Sequence, residues 1–321
     1  MKIAFVTSYF GREIDGASQV IKELSSRLIK DGHEVHVYAP AWDKKKRIPA
    51  VDEEIDGIKV HRCFYFFKVA NFATFWPSVF FKILKENYDI VHTHVSGHPH
   101  VLHATIAAKI KKAKIIHTTH APWTEGNRSF FGNLIKPLAY NIINRISYKL
   151  SNHIIAISEW EIPFIEKYGG KGKITVIPNG VDDLFFKTIK NNKFKNNNKL
   201  KGKLVLFFGR LDPIKGPDKF VMAAKKILAF RKDITFLLVG PDEGMKSELL
   251  KISGNSKNII FMDTIRDRKK ASELYQTADI FVLPSVREGS PLSLFEAMAS
   301  RVPVIGSNVP GIKVIIKSED N

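Results

Sequence analysis

The chain has 321 residues, 44% hydrophobic and 11% aromatic, enough to bury two ordinary cores and too apolar to be largely disordered. Its one cysteine, Cys63, excludes a disulfide framework and a thiolate zinc site and fits a reducing compartment. A net charge of +18 suits phosphorylated small molecules or an acidic lipid surface, or reflects a chain rich in Lys, Ile and Asn throughout; nucleic acid is disfavoured, because no zinc finger, RNP-type sequence or aromatic-interleaved basic repeat is present.

The opening "MKIAFVTSYFGRE" has too short an apolar run for a signal peptide and no small-residue cleavage site, so a cytoplasmic location is expected. Short β-rich runs then recur at 2–7, 34–39, 59–64, 89–94, 114–120, 153–158 and 173–178, separated by amphipathic helical patterns. Near-continuous apolar strands alternating with helices predict a parallel sheet covered on both faces, a doubly wound α/β domain over residues 1–186. Between its strands, the apolar window 64–84 is interrupted by Lys68, Asn71, Pro77 and Lys82 and is a poor membrane span. Pro77 suits a helix start, with Val79, Phe80, Ile83 and Leu84 on one face, which leaves 64–76 as a long aromatic loop.

Residues 187–203, "KTIKNNKFKNNNKLKGK", hold seven Lys, five Asn and no acid, without strand or helix periodicity. An exposed linker is expected over 187–202. The alternation restarts at 203–209, 235–240, 258–261, 279–284 and 302–307, defining a second, shortened α/β domain over 203–321. Two such domains are expected to face each other across a cleft, with function in the loops that follow the strands.

The strongest chemical signal is "REGSPLSLFEAMASRVPVI", residues 287–305, directly after a strand. Ser290 and Pro291 read as N-cap and first helical residue, so unpaired backbone N–H groups would face the cleft and suit a phosphate. Glu288 lies before that helix and Glu296 on its second turn, where they can address different parts of one long ligand. As an isolated pair they would more simply be a dipole-favouring residue and a surface residue. A second loop, "FFGRLDPIKG" at 207–216, tips that balance: Arg210 and Lys215 place two cations about a turn, as diphosphate recognition requires.

With these residues in view the chain resembles the retaining GT-B glycosyltransferases of group 1, or family 4. Glu288 and Glu296 match the family's E-x7-E motif, "GRLDPIKG" its phosphate loop, and "VIPNGVD" at 176–182 the close of its first domain. The resemblance implies that Arg210 and Lys215 hold the donor's diphosphate, Glu288 contacts the transferred sugar and Glu296 takes the ribose hydroxyls. The backbone from Gly289 through Ser290 and Pro291 to Leu292 would complete the cradle. It also implies that Gly16 approaches the phosphates from the first domain, where Gly16-Ala17 stands in place of the usual glycine pair. The base would rest near Ile265 and Gly240, and Asp263 replaces a common glycine, so base preference does not carry over.

Residues 92–100 read "HTHVSGHPH", with His103 beyond. A metal reading lacks an HExxH or carboxylate-bearing ligand pattern. The resemblance makes His120, at the end of "HTTH", the active-site histidine, His92 and His117 core or wall residues, and His98, His100 and His103 either acceptor contacts or, more commonly, a solvated loop. It implies no metal and no cofactor: the nucleotide diphosphate sugar is a substrate, and its hexose passes to a hydroxyl acceptor with retention, on a glycan, a lipid or a lipid-linked glycan. A peripheral contact at the inner face of the membrane is compatible with the aromatic loop and the charge.

The sequence ends in "VPGIKVIIKSEDN", where the family usually reads G-G-x-P-E-x-I and continues. A C-terminally truncated chain is therefore expected, and with it an alternative function: a nucleotide- or sugar-binding protein or subunit without turnover. An NAD enzyme is disfavoured, since no G-x-G-x-x-G follows the first strand.

Overall fold

The computed structural model describes residues 1–11, 16–43, 46–69, 73–120, 139–190, 193–254 and 256–316. It divides into two compact units, Met1–Pro178 and Asn179–Asn321.

The first unit holds an eight-stranded sheet of β1 (Lys2–Val6), β2 (Glu34–Pro40), β3 (Asp52–Ile55), β4 (Ile58–Cys63), β7 (Ile90–His94), β8 (Lys114–Thr118), β9 (His153–Ala156) and β10 (Ile174–Val176). Its order is β10-β9-β8-β7-β1-β2-β4-β3, parallel except for the β3–β4 hairpin. The reason for continuous apolar strands is visible in β1. Ile3 and Phe5 enter one core cluster while Ala4 and Val6 enter another, because successive side chains leave opposite faces and both faces are covered. The β3–β4 turn is Asp56-Gly57, at φ 53° and 77°. Asp-Gly at two left-handed positions is a strong hairpin signal, and here the sequence reading passed over it.

The window 64–76 is not an irregular loop throughout. It contains a second small sheet, β5 (Phe67–Val69) against β6 (Ala73–Phe75), in register Phe67 to Phe75. The helix Ser78–Leu84 follows, with Val79 and Ile83 buried as expected and Trp76 fully buried beside it. Cys63 is a buried core residue whose thiol burial pushes up to about 12.

The second unit holds β11 (Lys203–Phe208), β12 (Ile234–Val239), β13 (Ile259–Met262), β14 (Ile280–Leu283) and β15 (Val304–Gly306) in the all-parallel order β13-β12-β11-β14-β15. Its strands again divide between two clusters, Leu204 and Leu206 on one face, Phe207 and partly buried Val205 on the other. The Lys/Asn-rich segment differs from the exposed linker expected of it. It contains the short helix Phe194–Asn197, and Phe194 and Leu200 are buried in the core of the second unit. Two apolar residues, nine and three positions before β11, sufficed to dock a segment whose polar majority concealed them.

In each unit the strand order reverses at one place: between β1 and β7 in the first, and between β11 and β14 in the second. The crevice beyond the carboxyl ends of such strands is where open α/β sheets bind ligands.

Candidate functional site

Within and just after β7 and β8 the first unit carries a wall of imidazoles. His92 and His117 are buried core residues as expected. Nε2 of His92 lies 2.8 Å from Thr118 Oγ1. For His117 a chain in which Tyr148 donates to Ser96 Oγ, Ser96 donates to Nε2 at 2.7 Å, and Nδ1–H donates to Thr93 Oγ1 at 2.8 Å satisfies a neutral ring. Burial holds both rings down at about 3.

His120 stands two residues past β8 at φ 55°, a left-handed conformation that costs a β-carbon-bearing residue energy and that clusters at functional sites. Its Nε2 lies 2.8 Å from Nδ1 of His94, which is buried and held well below the usual histidine range by desolvation. His94 Nε2 has no hydrogen-bond partner among the described residues. An orphaned lone pair costs less than an orphaned N–H, which favours the tautomer in which His94 carries its proton on Nδ1 and donates to His120. In that tautomer His120 accepts at Nε2 and has Nδ1 as its remaining ring nitrogen. Next to it, the buried carboxylate of Glu161 accepts from Thr119 Oγ1 at 2.9 Å and from Ile157 N at 2.7 Å, bracing the end of β8. Sequence reasoning missed both His94 and Glu161, since nothing local to "HTH" or "SEWE" shows what lies across the sheet.

The expected solvated loop at His98 to His103 is replaced by the helix Pro99–Ile110, with Pro99 at its first position. His100 is fully buried, 5.1 Å from the Trp76 ring and within 3.3 Å of the His94 carbonyl. It is core, not an acceptor contact. No group of three or more potential metal ligands occurs among the described residues.

The second unit gathers most of the remaining candidates. Lys215 donates to Glu288 Oε1 at 2.6 Å and Ser285 Oγ donates to the same oxygen at 2.7 Å, with Glu288 buried. Gly216, at φ 67°, packs so close that a β-carbon would lie 2.3 Å from the Pro284 carbonyl, which seats the Lys215 loop against the end of β14. Gly311 does the same for the other loop: a β-carbon there would meet the carbonyls of Glu288 and Gly289 at 2.4 Å. The divergent "PGIK" thus underpins the Glu288 turn.

The helix begins one residue later than expected. It runs Leu292–Ala299 with Pro291 as N-cap, in extended conformation, and no side-chain cap bond forms. Ser290 is buried and uses its carbonyl to accept from Asn179 Nδ2 at 2.8 Å. Glu296 is not a surface residue. It is buried, accepting from Arg268 Nη1 at 2.6 Å and Tyr275 OH at 3.1 Å. Burial pushes its pKa up and outweighs the opposing guanidinium. Arg268 also lies 4.6 Å over the Phe185 ring. Ile265 packs partly buried on the cluster that holds Leu294 and Ile312. Arg210 pairs with Asp212 at 2.9 Å and Glu243 at 2.7 Å. Gly16 is the exposed first residue of the helix Gly16–Lys30, and the loop before it, 12–15, lies outside the described residues.

Two wound units, each with a cluster of polar side chains beyond its strand ends, define a GT-B architecture. Residues 14–183 match the Glycosyltransferase Family 4 profile and residues 188–321 the Glycosyl transferases group 1 profile. The chain belongs to this family, and with it to the glycosyltransferases that draw on nucleotide sugars. Among its relatives, the UDP-Gal:alpha-D-GlcNAc-diphosphoundecaprenol alpha-1,3-galactosyltransferase of Escherichia coli is 32% identical over 74% of this chain and 63% of that protein. The phosphatidyl-myo-inositol mannosyltransferase of Mycolicibacterium smegmatis is 27% identical over 100% of this chain and 79% of that one. Of solved structures, Anabaena HepE in complex with UDP superposes with a TM-score of 0.75 at 18% identity, over 99% of this chain and 83% of that one. These matches lend no support to the shortened, inactive reading of the chain. Among the described residues no helix is long and apolar enough to cross a membrane.

Proposed function

We propose that the chain transfers a hexose from a nucleotide diphosphate sugar to a hydroxyl acceptor with retention at the anomeric carbon. The observation that carries this reading is the 2.6 Å pair between partly exposed Lys215 and buried Glu288, backed by Ser285 and Gly311, beyond the strand ends at the reversal of the second sheet. A carboxylate so restrained is suited to orient a sugar rather than attack it. Arg210, Lys215 and the N-terminal N–H groups of Leu292–Ala299 offer positive charge to the departing diphosphate, the task a metal performs elsewhere, so turnover is expected without one. Glu296, fixed by Arg268 and Tyr275, would accept from ribose hydroxyls, with Ile265 near the base. His120, in the tautomer that His94 favours, would donate from Nδ1 to the transferred sugar. Gly16 would admit the phosphates close to the backbone of the first unit.

A lipid or lipid-linked acceptor is favoured by the names of the two relatives, one acting on a diphosphoundecaprenol carrier and the other on phosphatidyl-myo-inositol. It is favoured too by the exposure of Phe64, Phe66, Phe67 and Phe81, with Arg47 lying 4.9 Å over the Phe64 ring.

The test is calorimetric titration with UDP, GDP and ADP in chelator, followed by transfer assays with the corresponding sugars and NMR of the product anomer. One nucleotide should bind, and Glu296→Ala and Arg210→Ala should each weaken it by about 2 kcal/mol if a charged hydrogen bond is lost. His120→Ala should lower kcat with nucleotide affinity intact. Unchanged binding in both of the former variants would overturn the site, and an inverted product would overturn the stereochemistry.

A further inference from the structure

We propose that Glu243 is a built-in competitor for the donor's diphosphate: its carboxylate occupies Arg210 until nucleotide displaces it, and so limits how tightly the second unit holds its donor. The inference rests on the reading of Arg210 as a diphosphate ligand.

The position of Glu243 follows from the strand pairing. The loops after β11 and β12 are joined backbone to backbone: Leu211 N donates to the Pro241 carbonyl at 2.9 Å and Glu243 N to the Leu211 carbonyl at 3.2 Å. Gly240, at φ 151°, sits where a β-carbon would lie 1.9 Å from the Gly209 carbonyl, so the two loops are as close as backbones come. Asp242 then caps the turn, with Oδ1 accepting from the backbone N–H groups of Gly244, Met245 and Lys246 at 2.9 to 3.0 Å. Glu243 is therefore delivered to Arg210 by the fold and is more than a chance surface rotamer.

The two carboxylates on Arg210 have different freedom. Asp212 is 5% exposed, and its second oxygen accepts from Lys215 N at 2.9 Å, so it is part of the loop. The side chain of Glu243 is 35% exposed and can swing into water. With both in place Arg210 is bracketed by two negative charges, while Lys215 is already matched by Glu288. In a chain of net charge +18 the two cations of the intended diphosphate cradle thus face three carboxylates, and an incoming diphosphate meets less like charge once Glu243 leaves.

Glu243→Gln keeps the shape and removes the charge. Titrated with UDP, GDP or ADP, whichever the wild type prefers, it should bind about two- to fivefold more tightly, the range a partly exposed ion pair supports. The matching nucleoside monophosphate should gain less, and the gain should vanish when Glu243→Gln is placed on Arg210→Ala. Unchanged or weaker diphosphate binding in Glu243→Gln, with Arg210→Ala still weakened, overturns the competitor role and leaves the donor site standing. Failure of Arg210→Ala to weaken binding removes the donor-site reading and this inference with it.

Discussion

Both units are wound α/β sheets, but their polar side chains around the strand reversal have opposite chemistry. In the first, His92, His94, His100 and His117 are buried as neutral rings matched to hydroxyls, a carbonyl and one another. In the second, Arg210, Lys215 and Arg268 are partly exposed cations, each within 2.9 Å of a carboxylate. A neutral wall needs no counter-charge, but each N–H must be aimed and protonation breaks it. Ion pairs at a loop tolerate exposure and can exchange partners, which is what a site for an anionic ligand requires. The difference shows how one fold separates a rigid side from an exchangeable one.

Acid should break the comparison most sharply. His92 and His117 are held at about 3, against a value near 6.5 in an unfolded chain, so below pH 6.5 the unfolded state binds protons that the folded state refuses. Their contribution is present in full above pH 6.5 and is lost as pH falls toward 3, at about 1.4 kcal/mol per pH unit for each ring. Urea unfolding followed from pH 7 to pH 4 should show the transition of the first unit shifting steeply and that of the second much less. Equal shifts in both would mean that the imidazole wall carries no such load.

A smaller effect comes from the wall's wiring. His117→Phe fills the space but takes the acceptor from the Ser96 hydroxyl and the ring donor from Thr93, and should cost about 1 to 3 kcal/mol of stability. Arg210→Ala, in the exchangeable loops, should cost less than about 1 kcal/mol of stability while weakening nucleotide binding. Matching losses of stability in the two variants would erase the distinction. The smallest effect concerns backbone strain: Arg301, exposed at φ 62°, should give about 0.5 to 1 kcal/mol of added stability when changed to Gly, read as a raised Tm. An unchanged Tm would show that the chain holds that turn without cost.

Much of the architecture was legible beforehand because parallel strands covered on both faces have to be apolar at every position, as "KIAFV" and "ITFLLV" are. Glu288, Arg210 and Lys215 stood out as candidates because they fall on loops that open helices, and Glu296 because it follows Glu288 at the family's E-x7-E spacing. Their partners were not. Tyr275 and Arg268 reach Glu296 from another helix, and Glu243 reaches Arg210 from another strand's loop. Phe194 and Leu200 were hidden because a burial signal of two residues is lost among lysines and asparagines.

The sequence by itself determined two wound α/β units, their strands and the loops that bear charge, since hydrophobic period, helix starts and turn residues act over a few neighbouring positions. Only the tertiary structure decided which histidine lies against His120, that Glu296 is buried rather than exposed, and that each of those cations already has a carboxylate partner. Those outcomes depend on strand order and on close approaches such as Gly240 to Gly209, which join residues tens of positions apart and leave no periodic mark in the chain.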